Sequence, residues 1–396
     1  MAKKKGRFKG FVTEDHRYVF LSTSVIALIG LWLSSQPHTS SSFLRYSYPL
    51  ECVLYYLLVA WIVVSLAALV NKIVKWHGDA YQTTSPLATP RAKKIERFSS
   101  YVAWGITIVM VIDRGIMRIV DIVQYAVTQD SNPSDFLGSM IYMLYQMRST
   151  FLQGILNTII IAVVGTLVAF VLALVLVFLR LQQIDRSDND FVRFWKKVGV
   201  GFAKVYSTIM RGTPMMIQGL IIYYAGTGML TARGMTPTEI LNVWSPFNAG
   251  LVTVSLNSTA YMMEVLRSGI LSVDPGQTEA ARSLGLSQWQ AMRKVVFPQG
   301  IRNSIPALSN ELVINIKDSS VLMAIGVLEL TFAVRSIAGV YYKQMEPYVA
   351  AAIVYLILTM VATKLLDKFA KHFDPKAARV VLSTSNVPVP QTKQVK

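Results

Sequence analysis

The sequence predicts an all-α polytopic membrane protein with about eight transmembrane helices, and three observations carry that prediction. Apolar runs near the ~20 residues a helix needs to cross hydrocarbon recur along the chain. Only 15% of its 396 residues are charged while 53% are hydrophobic, with mean hydropathy +0.43; soluble domains average about 25% charged. The basic excess, a formal net charge of +17, lies in the polar connections between the apolar runs. That placement is the positive-inside bias of a membrane protein and not the basic face of a nucleic-acid binder. The single Cys52 excludes a disulfide framework within one chain.

In chain order the runs are Tyr18 to Leu33, Leu50 to Val74, Tyr101 to Val127, Ile155 to Leu179, Val200 to Gly226, Phe247 to Leu271, Leu312 to Val340 and Pro347 to Leu366. The third loses its clean apolar character after Ile112, where Asp113, Arg114, Arg118 and Asp121 follow. It reads as a membrane helix that emerges into an amphipathic continuation. The sixth is interrupted by Asn257, Thr259 and Glu264.

Lysine and arginine near the ends of the runs set the orientation. Lys3, Lys4, Lys5, Arg7 and Lys9 put the N-terminus in the cytoplasm, and Lys364, Lys368 and Lys371 put the C-terminus there too. Stretches 34–49 and 128–149 have few basic residues and read as outside, whereas 72–97 and 180–204 are basic and read as inside. A cleaved signal peptide is the other reading of the first run, but Glu14 and Asp15 in its leader and the lack of an A-x-A site argue for an anchor. The expected organisation is an N-terminal extension of about three membrane helices (1–127), an extracytoplasmic linker (128–150), a five-helix domain (151–372) and a cytoplasmic tail (373–396).

One cytoplasmic segment stands apart. "EAARSLGLSQWQAMRKVVFP", Glu279 to Pro298, is polar between apolar runs. Asp274-Pro275 is a helix start, with Gln277 at capping-box spacing. Gly285 supplies a turn, Ser287 with Gln290 caps a second short helix, and Pro298 is expected to end it. The reading is a polar helical hairpin, 274–298.

Its spacing is similar to the coupling-loop motif of ABC importer permeases. Glu279-Ala280-Ala281 is followed after three residues by Gly285, then after nine by Val295, with Phe297 and Pro298 closing it. "FLQGILNTIIIAVVGT" (Phe151 to Thr166), "MRGTPMMIQ" (Met210 to Gln218), "NSTAYMMEVLRSGI" (Asn257 to Ile270) and "NIKDSSVL" (Asn315 to Leu322) resemble the branch for polar amino acids such as histidine, glutamine, glutamate and arginine. The likeness covers about Phe151 to Leu366; the extension departs from the minimal five-helix pattern.

What the resemblance implies is a type I ABC importer transmembrane domain in a bacterial plasma membrane. Glu279, Ala280, Ala281, Gly285 and Pro298 become the element that docks on an ATPase dimer. The further implied partners are an extracytoplasmic amino-acid-binding protein, a second permease copy or a homologous permease, and membrane lipids. ATP and Mg would be bound by the ATPase, with no cofactor in this chain. The sequence agrees in holding no Gly-Lys dipeptide, which a P-loop needs.

Arg211, Thr213, Gln218, Asn257, Thr259 and Glu264 are candidates for the substrate pathway, because polar residues in membrane segments usually face protein or water. A zwitterion needs groups of both signs, and Arg211 and Glu264 offer them. Structural readings stand beside these: a proline break at Pro214, interhelical hydrogen bonds from Asn257 and Thr259, and an ion pair between Glu264 and Arg267. Two rival classes remain. A secondary transporter or channel would have broken helices without the cytoplasmic hairpin. A membrane-embedded enzyme would show an H-E-x-x-H or G-x-S-x-G pattern, which this sequence lacks.

Overall fold

The computed structural model of the chain describes residues 23–74, 89–129, 131–184 and 188–373. Regular structure among them is entirely helical. The basic cluster Lys3 to Lys9, the start of the first apolar run, Lys75, Arg186 and the tail from 374 onward lie outside the described residues. The helices sort into two units that divide between Tyr142 and Met143.

The N-terminal unit is built on α1 (Ser24–Ser34), α2 (Tyr48–Val74) and α3 (Pro90–Met110). Thr89 caps α3 by accepting from the Ala92 N–H at 3.3 Å, with Pro90 in the first turn. Ala27, Leu58, Trp61, Ala68, Ala103 and Ile106 form the core of the three helices. A π turn (Val111–Ile116) joins α3 to α4 (Met117–Thr128), so the expected continuation past Ile112 is helical. Asp113 and Arg114, however, do not lie on a solvated face; they are 0% and 4% exposed. Asp113 accepts from the Ser42 hydroxyl at 2.7 Å and the Leu44 N–H at 3.0 Å, while Arg114 pairs with Glu51. The segment expected as a linker, 128–150, contains helix α5 (Phe136–Gln146).

The second unit centres on α6 (Arg148–Arg180) and α10 (Pro246–Leu271). α6 has 33 residues, about 50 Å of helix at 1.5 Å per residue. Gly154, Thr158, Ala162, Gly165, Ala169 and Ala173 form a buried small-residue stripe along it. Such stripes let helices approach closely where lipid removes the hydrophobic drive. A Cβ on Gly165 would fall 2.8 Å from Val254 of α10. Around this pair lie α7 (Asp190–Gly212), α8 (Met215–Ala232), the short α9 (Pro237–Val243), α13 (Phe297–Asp318), α14 (Leu330–Tyr341) and α15 (Met345–Phe373). α11 (Pro275–Ser283) and α12 (Gln288–Ala291) make the polar hairpin between α10 and α13.

The expected eight spans are met only roughly. Four helices among the described residues are long and apolar enough to cross a membrane: Tyr48–Asn71, Arg148–Arg180, Met215–Ala232 and Met345–Lys368. Gln288–Ile325 with Leu330–Tyr341 adds a fifth, bent by 52°. Thus the seventh run is not one straight helix: a 3-10 turn (Ser319–Ile325) and Gly326, at φ +84°, turn the chain within it. The fifth run is likewise two helices, parted at Thr213–Pro214. α10 falls short on apolar character because neighbouring helices, not lipid, cover most of its surface.

Candidate functional site

Pro214 has no N–H to give the carbonyl four residues back, and the residue before a proline is pushed toward extended backbone. Thr213 sits there at φ −122°, ψ 147°, and α7 ends. The orphaned carbonyl of Met210 is recovered by side-chain amides. Gln218 Nε2 donates to it at 2.8 Å and Asn257 Nδ2 at 3.2 Å. Gln218 Nε2 also reaches the Thr213 carbonyl at 3.0 Å and its hydroxyl at 2.8 Å, and Asn257 donates to Gln218 Oε1 at 2.9 Å. Three of the sequence-selected residues therefore meet at one place, where the polar side chains hold a broken helix against α10.

Arg211 lies at the open side of this break, its guanidinium 5.4 Å above the Tyr261 ring of α10. One turn along the same face is Glu264. Its carboxylate accepts from Arg267 Nε at 2.7 Å, as the i, i+3 spacing predicts, and from the Ser207 hydroxyl of α7 at 3.3 Å. Arg180, at the end of α6, stands 3.7 Å away. Glu264 thus ties three helices, and Arg180 and Ser207 are partners the sequence reading missed. The signal for Arg180 was a cation placed at a helix C-terminus, which also favours it there.

Thr259 is packed between helices. It is 1% exposed, and its hydroxyl donates to the carbonyls of Ser255 at 2.6 Å and Ala169 at 3.4 Å. The bond to Ala169 joins α10 to α6, the interhelical reading that stood beside the pathway one for this residue. Asn257, Tyr261 and Glu264, at i, i+4 and i+7, form the stripe of α10 that stays partly open.

The polar hairpin forms as two helices about a glycine, with two changes from expectation. Asp274 caps α11 through the Gly276 N–H at 2.8 Å, and Gln277 makes no capping box; its side chain turns to Gln299 at 3.4 Å. The box at Ser287 and Gln290 is present. α11 closes in a Schellman motif: the Gly285 N–H bonds the Arg282 carbonyl at 3.0 Å and the Leu286 N–H bonds that of Ala281 at 3.2 Å. Gly285 takes φ +84°, a conformation that side chains with a Cβ resist. Pro298 does not end the second helix. After α12 a π turn (Met292–Val296) leads straight into α13, with Pro298 in its first turn.

Ala281, Ala291 and Val296 are buried, and Phe178 of α6 packs on Phe297 at 4.7 Å and on Trp289 at 6.1 Å. The outer surface carries Glu279, Ala280, Arg282 and Ser283, all exposed, with Leu284 at 85% exposure. An apolar residue held out at a hairpin tip was not foreseen; the motif names Gly285 and leaves its neighbours free.

The family described as binding-protein-dependent transport system inner membrane component matches residues 191–379. The glutamine transport system permease protein GlnP of Escherichia coli is 35% identical over 170 residues, which are 43% of this chain and 74% of that protein. The nopaline transport system permease protein NocM of Agrobacterium fabrum is 31% identical over 230 residues, 57% of this chain and 88% of that one. A crystal structure of an amino acid ABC transporter with histidines superposes with TM-score 0.50 at 32% identity, covering 61% of this chain and 99% of that chain. With the broken helix, the hairpin and the α6–α10 core in place, these likenesses identify the chain as a member of the binding-protein-dependent inner membrane permeases, the transport subunits of amino acid ABC transporters.

Proposed function

We propose that the chain forms the translocation pathway for polar amino acids in an ATP-driven importer, with its N- and C-termini in the cytoplasm. The observation that carries the coupling part is the hairpin's division of labour. One side is buried on α6 and continuous with α13, while the other presents Glu279, Ala280 and Leu284 outward. A stiff element anchored in the core transmits a push that a loop would absorb. An ATPase dimer takes that surface, holding the ATP and Mg that supply the energy, and a second permease completes the pathway. An extracytoplasmic binding protein delivers the substrate.

Arg211, Gln218, Asn257 and Glu264 border the pathway in this reading. Gln218 and Asn257 shape it by holding the break, and Arg211 and Glu264 give it charges of both signs. The named relatives are glutamine and nopaline permeases, which supports a polar amino acid as substrate.

The test is Glu279→Lys in the assembled complex. The expected outcome is a membrane-inserted permease of normal thermal stability that recruits its ATPase weakly, with uptake lost. Normal recruitment and uptake would mean that the hairpin is not the coupling element.

A further inference from the structure

The N-terminal unit contains a cavity of about 470 Å³, within the range of about 300–1,000 Å³ typical of small-molecule sites. Helix α4 forms one wall through Arg118, Asp121 and Tyr125, at i, i+3 and i+7 on a single face. Thr39 closes it from the α1–α2 connection, and Asp135 with Gly138 from the start of α5.

Both carboxylates are fixed. Asp121 accepts from the Ser41 N–H through both oxygens, at 3.1 and 3.2 Å, and from the Ser41 hydroxyl. Asp135 Oδ2 accepts from the Gly138 N–H at 2.7 Å, and Gly138 is the residue that lets it fold back, since a Cβ there would lie 2.6 Å from Oδ1. Arg118, in contrast, is solvent-exposed and makes no hydrogen bond or ion pair among the described residues. The cavity thus offers two preorganised anions and one uncommitted guanidinium, a donor fork that matches a carboxylate.

We infer that this cavity binds a cationic amino acid. The ligand carboxylate takes Arg118, and its α-ammonium and basic side chain take Asp135 and Asp121. The lining's own balance of one cation to two anions selects a ligand of net positive charge over a neutral or acidic one. The site belongs to the N-terminal unit alone and does not depend on which substrate the second unit carries.

The experiment measures equilibrium binding of labelled L-arginine and of agmatine, which is arginine without its carboxylate, to the full-length chain in nanodiscs. The expected result is that arginine binds about tenfold more tightly than agmatine, the worth of one charge-assisted hydrogen-bonded pair. Arg118→Gln should weaken arginine about tenfold and leave agmatine within about twofold, removing the difference. Asp135→Asn, which keeps an oxygen for the Gly138 N–H, should weaken both ligands, and L-glutamate should not compete. No saturable arginine binding, or binding that both substitutions leave unchanged, would overturn the assignment.

Discussion

Pro214 and Pro298 remove the same backbone donor and have opposite results. At Pro214 the preceding Thr213 is extended, at φ −122° and ψ 147°, and the helix stops. At Pro298 the preceding Phe297 stays helical, at φ −61° and ψ −46°, although that conformation is disfavoured before proline. The difference lies in what surrounds each site. Around Pro298 the turn has already widened to a π form, and the proline falls in the first turn of α13, where a missing N–H costs little, so the chain keeps its direction. Around Pro214 the free carbonyl is claimed by amides from the next helix and from α10, so the broken form is the satisfied one. Helix α10 is the wall behind both. It supplies Asn257 at the first site, and its Gly269–Ile270 turn packs against Gly300 just past the second.

The largest expected effect comes from disturbing that wall. A Cβ on Gly300 would lie 2.7 Å from the Ile270 Cα, a backbone atom that cannot rotate away. Gly300→Val should destabilise the protein by about 3 kcal/mol, the upper end for overpacking. Thermal unfolding in detergent reads it, and an unchanged midpoint would show that α10 and α13 are not locked together.

Next is Gln218→Leu, which strips the donor from three oxygens at the break while filling the same volume. A loss of about 2 kcal/mol is expected for giving up three hydrogen bonds at half-buried and exposed oxygens. Adding Asn257→Leu should not cost the simple sum of the two single changes, because the Asn257–Gln218 hydrogen bond is lost in either one while the Met210 carbonyl loses its last side-chain donor only in the double. Simple additivity would mean that the two do not act as one device.

Gly285→Val sharpens the comparison from the other side, since it alters a turn with no packing around it. No atom lies within 4 Å of a Cβ placed there, so only the positive φ resists. The cost should be about 1–2 kcal/mol and local. Amide exchange should quicken in α11 and α12 and remain slow in α10.

The smallest effect belongs to the capping box of α9. The Thr236 N–H and hydroxyl hold the Glu239 carboxyl below its ordinary 4.5. A depressed carboxyl adds stability above its unfolded value and loses it as pH falls through the folded one. The difference in unfolding midpoint between the wild type and Glu239→Ala should therefore be constant near neutrality and shrink on acidification below 4.5. A difference that grew with acid would reverse the sign.

Much of this was legible in the residues. Apolar runs located the long helices, the Ser287 and Gln290 pair located a cap, and the spacing from Glu279 to Pro298 located the hairpin and the family. Polar residues in the sixth run marked α10 as unusual. The sequence could not say whether Thr259 faced a pathway or a neighbouring helix, since a lone hydroxyl reads the same in both. Nor could it find Arg180 and Ser207 beside Glu264, which come from other helices.

What the sequence alone determined is set by local chemistry: how long an apolar stretch runs, which residue can cap, where only glycine tolerates a positive φ. These depend on a few neighbours along the chain. The tertiary structure decided which proline breaks its helix, which hydroxyl is consumed by packing, and that a span with Asn257, Glu264 and Arg267 can sit at the centre of a membrane unit. Each of those turns on who supplies a hydrogen-bond partner across space, and a free carbonyl such as that of Met210 accepts whichever donor the fold brings within reach.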